Sequence, residues 1–243
     1  MARYKKIFQS IVFALGLFVL APTIALAEPI PNHVTMERPL TGTVILAMKP
    51  DVTLSELTAT GTADPKLEWA ENARRYIDEA VSARFNAQGY AITRADPSAI
   101  SDEAALQVLK LNDAVDMSIM SHAYSAGTGK LPTKASFDWT IGEGAQLLVP
   151  ENLRGTAGAP RYALFVKVKG SYSSGGRKVM MVAAAIGGVG IPMASQAVEA
   201  SVVDLQTGRV IWHKFLIVSF GVDIRTEAGA KAQIETLFKD LPL

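Results

Sequence analysis

The chain has no cysteine. Disulfides and thiol nucleophiles are therefore excluded, and so is the cysteine-linked lipid of a bacterial lipoprotein. Histidine is nearly as scarce: His33, His122 and His213 are the only three. None shares an element with a second histidine or a carboxylate at ligand spacing, so the spacing leads to no expected metal site and no expected cofactor. Aromatic residues make up 7% of the chain, which leaves the core to Ala, Val, Leu and Met. Neither sign of charge predominates, with 24 Lys and Arg against 23 Asp and Glu. That balance excludes the basic stripe of a nucleic-acid binder. No uncharged apolar run reaches the ~20 residues of a membrane-spanning helix.

The start of the chain is distinctive. Arg3, Lys5 and Lys6 precede an apolar stretch over residues 11–21, Pro22 closes it, and Ala25-Leu26-Ala27 presents small residues at a cleavage position. This is the pattern of a secretory signal peptide cut after Ala27. Export to the periplasm is the expectation, with outer-membrane association as the alternative. Removing 27 of 243 residues leaves 216, and the charges become 21 basic against 23 acidic. That length suits one domain, which packing alone can hold together.

Pro29, Pro31 and Pro39 make residues 28–40 an extended arm, and residues 41–243 then form a single α/β domain. Residues 43–48 are a compact apolar run suited to a buried strand. Asp64 and Pro65 are expected to open a helix with Leu67, Ala70, Ala73, Ile77, Ala80, Val81 and Phe85 on one face, stopped by Gly89. Residues 90–92 suggest a short strand. Ser101, Asp102 and Glu103 suggest a second helix, with Leu106, Leu109 and Val115 turned inward. Residues 126–160 are rich in Gly, Pro and small polar residues, but Phe137 and Trp139 make this connection pack rather than dangle. Residues 162–168 read as a strand. Residues 197–204 and 210–216 read as a β-hairpin, with Gly208 where positive φ is needed. A final helix over 226–239 turns Ala230, Ile234, Leu237 and Phe238 inward. The predicted fold class is α/β, a mixed sheet with helices mainly on one face and a C-terminal β-hairpin followed by a terminal helix.

Chemical motifs are weak. Gly127-Thr128-Gly129-Lys130 has Tyr124 where a phosphate-binding loop needs its first Gly, and Leu131 where it needs Ser or Thr. Gly187-Gly188-Val189-Gly190 lacks dinucleotide-binding spacing, and Ser173 and Ser174 lack the flanking glycines of a nucleophile elbow. Asp78-Glu79 and Asp102-Glu103 read as solvated helix charges. Asp204 and Asp223 lie near strand ends, and Asp204 more simply shapes the hairpin turn. His213 is expected to face outward beside inward Trp212 or Phe215.

The feature that stands out is the uncharged run over residues 179–194. Its candidate interaction residues are Val179, Met180, Met181, Val182, Ile186, Val189, Ile191 and Met193. Two readings hold: a buried helix or glycine-rich crossover between strands, or an exposed patch that meets a membrane or another subunit.

The segment SVVDLQTGRVIWHKFL, through Asp204, Thr207, Gly208, Val210 and Trp212, resembles envelope proteins related to the curli secretion channel subunit. It also looks similar to the amino-terminal domain of the Tol-system periplasmic propeller protein. The whole mature chain resembles an uncharacterised group of exported proteobacterial envelope proteins, through Glu56-Leu57, Trp69, Arg74-Arg75, Tyr162 and Phe165. The resulting expectation is a non-enzymatic periplasmic protein that contacts other envelope proteins or itself, with no nucleic acid. The alternatives are an outer-membrane oligomer touching the membrane through 179–194, or a small-ligand binder or enzyme with an unrecognised site near residues 127–160.

Overall fold

The computed structural model describes residues 33–34, 36–124, 137–188, 190, 195–218 and 221–243. Its strands are β1 (His33–Val34), β2 (Val44–Met48), β3 (Asp51–Leu57), β4 (Ala63–Pro65), β5 (Ala91–Ala95), β6 (Tyr162–Ser173), β7 (Gln196–Asp204) and β8 (Val210–Ile217). The helices are α1 (Leu67–Ala87), α2 (Glu103–His122), α3 (Gly175–Ile186) and α4 (Glu227–Leu237). The mixed sheet, the C-terminal hairpin and the terminal helix agree with the predicted class.

Strands run in the order β1-β8-β7-β6-β2-β5, and β3 also pairs with β6. β2 and β3 lie end to end along β6, pairing in parallel with Tyr162 to Leu164 and with Lys167 to Ser173 respectively. Lys49-Pro50 separates them, and proline has no N–H to continue a ladder. β6, β7 and β8 form an antiparallel set. The arm contributes β1, whose His33 pairs in register with His213.

Period-two alternation divides the core into two layers. Ile45, Leu164, Val166, Ala200, Val202 and Trp212 face α1 and α4. Leu46, Ala163, Phe165, Val203 and Val210 face the opposite layer, built from α2, Trp139, Ile141 and a 3-10 segment, Glu143–Leu148. The aromatic anchors do pack: Trp139 is buried and stacks near Phe137. Helix α1 begins later than expected, because Asp64 and Pro65 pair as strand β4 against β3. Gly89 does end it, at φ +81°. Asp102 caps α2 by accepting from the Ala104 N–H at 3.0 Å, and Thr226 caps α4 through Gly229.

The β7–β8 turn follows its sequence signature. Asp204 accepts backbone N–H bonds from Gln206 at 2.8 Å and Thr207, and Gly208 sits at φ +68°. A Cβ on Gly208 would overlap the Gly142 carbonyl. Gly208→Ala is therefore expected to cost more than the ~1–2 kcal/mol of left-handed strain alone, read as a fall in the urea midpoint. An unchanged midpoint would mean that the turn and the 140–142 loop separate freely.

Of the two readings of residues 179–194, burial fails for the described part. Val179, Met180, Val182 and Ile186 on α3 are exposed by 72%, 38%, 64% and 84%, and Met181 is half-buried. Val189, Ile191 and Met193 lie outside the described residues. No helix among the described residues is long and apolar enough to cross a membrane.

Candidate functional site

Antiparallel register sets two rows of side chains across β6, β7 and β8. Lys167, Glu199 and Phe215 form one row; Phe165, Ser201 and His213 form the next. All six project to the side covered by α2, because they are two residues apart along each strand. Helix α2 meets them with an unusual inward stripe: Ala105, Val108, Asn112, Asp116 and Ile119. Two of those five are polar, and each is almost fully buried.

The buried polar groups connect. Lys167 Nζ donates to Asp116 Oδ2 at 2.6 Å and to Asp113 Oδ1 at 2.8 Å. Asn112 Nδ2 donates to the same Asp116 oxygen at 3.0 Å. His213 Nε2 lies 2.9 Å from Glu199 Oε1, and Nδ1 lies 3.0 Å from the Tyr124 hydroxyl. An ionised carboxylate offers only acceptors, so Nε2 carries the hydrogen, an assignment that follows from the network. The Tyr124 hydroxyl also lies 3.0 Å from the His213 carbonyl. Trp139 and Tyr124 flank the imidazole with ring centroids at 6.0 and 5.2 Å. Asp116 Oδ1, Asn112 Oδ1 and Ser201 Oγ are buried without a hydrogen-bond partner.

Burial raises the Asp116 carboxyl above the ordinary carboxylate range, and this outweighs the pull of Lys167. Burial also opposes the Lys167 charge, but Asp116 and Asp113 more than restore it, so its pKa ends above that of a free lysine. Lys167 is thus an ammonium throughout the neutral range. Desolvation, reinforced by the Glu199 charge, raises the Tyr124 phenol and keeps it protonated.

Two adjoining hollows of about 350 and 400 Å³ open at this cluster, and both are lined by Asp51, Asp113 and Lys167. The second is also lined by Asp116, Glu199 and Phe215. Asp116, Glu199 and His213 offer donor atoms within 4.8 Å of one another, the one such group among the described residues. Two carboxylates and an imidazole match a three-ligand site with an open position once His213 Nε2 gives up the hydrogen it shares with Glu199, and the unpartnered Asp116 Oδ1 is an available donor.

This cluster was missed by sequence reasoning. His213, expected to face outward, is wholly buried and holds Glu199. The reason lies in the second layer: α2 and the loop at Trp139 cover that face of the hairpin. Of the residues expected to be inward on α2, Leu109 and Val115 are half-buried and pack against the second core layer, and Leu106 is half-buried; the fully buried stripe lies elsewhere on the helix. A period of three and four through Ala105, Val108, Asn112, Asp116 and Ile119 was available as a signal, but its polar members disguised it. Asp204 and Asp223 are not brought together as a pair; Asp204 binds Arg161 at 2.7 Å and Asp223 binds Arg225 at 2.8 Å. Residues 125–136, with the Gly127–Lys130 motif, lie outside the described residues.

Comparison with curated proteins finds no match. Among solved structures, lipoprotein GNA1162 from Neisseria meningitidis aligns over 80% of this chain and 93% of its own, at 11% identity and a TM-score of 0.32. The hypothetical protein CT253 from Chlamydia trachomatis aligns over 82% and 94%, at 14% identity and 0.34. The amidohydrolase family model matches residues 2–240, a span that takes in the segment read above as a leader. That match overturns the expectation of a non-enzymatic protein working through protein–protein contacts alone, and agrees with the alternative of an enzyme whose site the sequence did not reveal. By this match over residues 2–240, the chain belongs to the amidohydrolase family.

Proposed function

We propose that the chain is an exported hydrolase that cleaves an amide bond in the hollow lined by Lys167, Asp116 and Glu199. The family supplies the reaction class. The observation that supports the place is the buried Asp116–Lys167 pair beside a Glu199 carboxylate held by His213.

Each group has a chemical task. Glu199 takes a proton from water, the hydroxide adds to the amide carbon, and negative charge develops on the carbonyl oxygen. An ammonium has three donors, and Asp113 and Asp116 use two of those on Lys167. The third is available to the oxyanion, fixed in place before the charge appears. When the C–N bond breaks, the proton on Glu199 passes to the leaving nitrogen, giving a carboxylic acid and an amine. His213 and Tyr124 position Glu199 without touching substrate. The test is amine release from a panel of N-acyl amino acids and amino-acid p-nitroanilides. Turnover of a panel member supports the reading, and absence of release from every member sinks it.

A second reading has its own support in the unpartnered Asp116 Oδ1, close to Glu199 and His213. Those three residues would hold a divalent ion such as zinc, which when bound polarises a carbonyl and lowers the pKa of water. Under this reading, dialysis against a chelator abolishes amine release and added zinc restores it. Activity untouched by chelation assigns the cationic role to Lys167 alone.

A further inference from the structure

Helix α3 carries an apolar surface that nothing else in the described chain covers. Ser174 caps it by accepting from the Arg177 N–H at 3.2 Å. Only Arg177, Met181 and Ala184 are turned towards the body of the protein, at the i, i+4, i+7 spacing of one narrow face. That face meets the β3–β4 turn, where Ala59 and Gly61 approach the start of the helix. The remaining positions are exposed: Gly175, Gly176, Lys178, Val179, Met180, Val182, Ala183, Ala185 and Ile186. At 100° per residue they span an arc of about 220°. Lys178 is its only charge, at the N-terminal edge.

The width of this arc points to its occupant. A helix that docks on a protein surface buries a stripe of roughly 100° and keeps polar residues on its outer face. Here polarity is reversed, because the inner face holds Arg177 and the outer arc is apolar almost throughout. Apart from Lys178 at the N-terminal edge, the arc has no polar side chain that could fix the register of a protein partner. A medium that wraps the helix without specific contacts satisfies it instead. Twelve residues reach only about 18 Å, short of the ~30 Å hydrocarbon thickness, so the helix lies within one leaflet and does not cross. A lysine at the edge of such an arc extends to the phosphate level while its stem stays apolar.

We propose that α3 is a monolayer anchor that seats the protein on a lipid bilayer through Val179, Met180, Val182 and Ile186. The proposal does not rest on the hydrolytic reading. Because the chain lacks cysteine, Val182→Cys can carry a single environment-sensitive fluorophore. The full chain is mixed with phosphatidylcholine–phosphatidylglycerol vesicles. The label is expected to shift to a membrane-like emission, and Ile186→Glu is expected to weaken vesicle partitioning at least about tenfold. Ile186 is 84% exposed, so the Glu variant should melt with the parent, which separates lost binding from lost folding. Three results would overturn the proposal: a label that stays in water on bound vesicles, equal binding by Ile186→Glu, or a lipid-free assembly of copies that buries the label.

Discussion

Replacing Glu199 by Gln is expected to lower kcat/KM for amide hydrolysis by about 10²–10⁴-fold while leaving the fold in place. Gln has the same shape, and its side-chain oxygen can still accept from His213 Nε2, now at 2.9 Å from Glu199. What it cannot do is take a proton from water. The Tyr124–His213 hydrogen bond and the Trp139 ring packed beside the imidazole should persist, so circular dichroism and the thermal midpoint should match the parent. If Glu199 served only to accept from buried His213, Gln would serve as well, and the variant would keep its activity along with its stability. The activity measurement thus separates the two roles.

Replacing Lys167 by Met is expected to destabilise the protein by about 3–5 kcal/mol at neutral pH. The Lys167 side chain is 18% exposed and that of Asp116 is 3% exposed, so the pair is shielded from water. Methionine fills much of the lysine's volume but leaves the Asp116 carboxylate without its cation. The dependence on pH follows from the direction of the Asp116 shift. Burial raises its pKa above the ordinary 3.8, even against Lys167. A raised carboxyl holds its proton more tightly folded than unfolded, so its stabilising contribution is whole below 3.8 and is lost as pH rises through the folded value. Without the lysine's opposing pull, the shift grows. The gap between variant and parent in urea unfolding should therefore be smallest near about pH 4 and widen towards about pH 7. A gap of equal size at each pH would show that Asp116 never ionises in the parent, and the charged pair would have to be abandoned.

Much of the fold was legible because it rests on local rules. The apolar face of α1 predicted its buried residues Ala70, Ala73, Ile77, Val81 and Phe85. The final helix turns Ala230, Ile234, Leu237 and Phe238 inward as expected. Gly208 and Asp204 marked the hairpin turn, since each acts within a few residues of itself. The site was not legible for the converse reason. Asn112 and Asp116 lie on α2, Lys167 on β6, Glu199 on β7 and His213 on β8. No local spacing joins them, and a buried carboxylate looks in sequence like any solvated acid until its lysine is found.

What the sequence by itself determined are the periods: strands of alternating pattern, helices with one apolar face, caps and a glycine turn, hence a mixed α/β sheet. Only the tertiary structure decided what each face meets. It put α2 over the lower rows of the hairpin, so His213 became a buried neighbour of Glu199. It left α3 outside both core layers, so an apolar run that could have filled a core became surface. The physical reason is the same in both cases. Periodicity reports which residues share a face, but burial depends on a second element arriving from elsewhere in the chain.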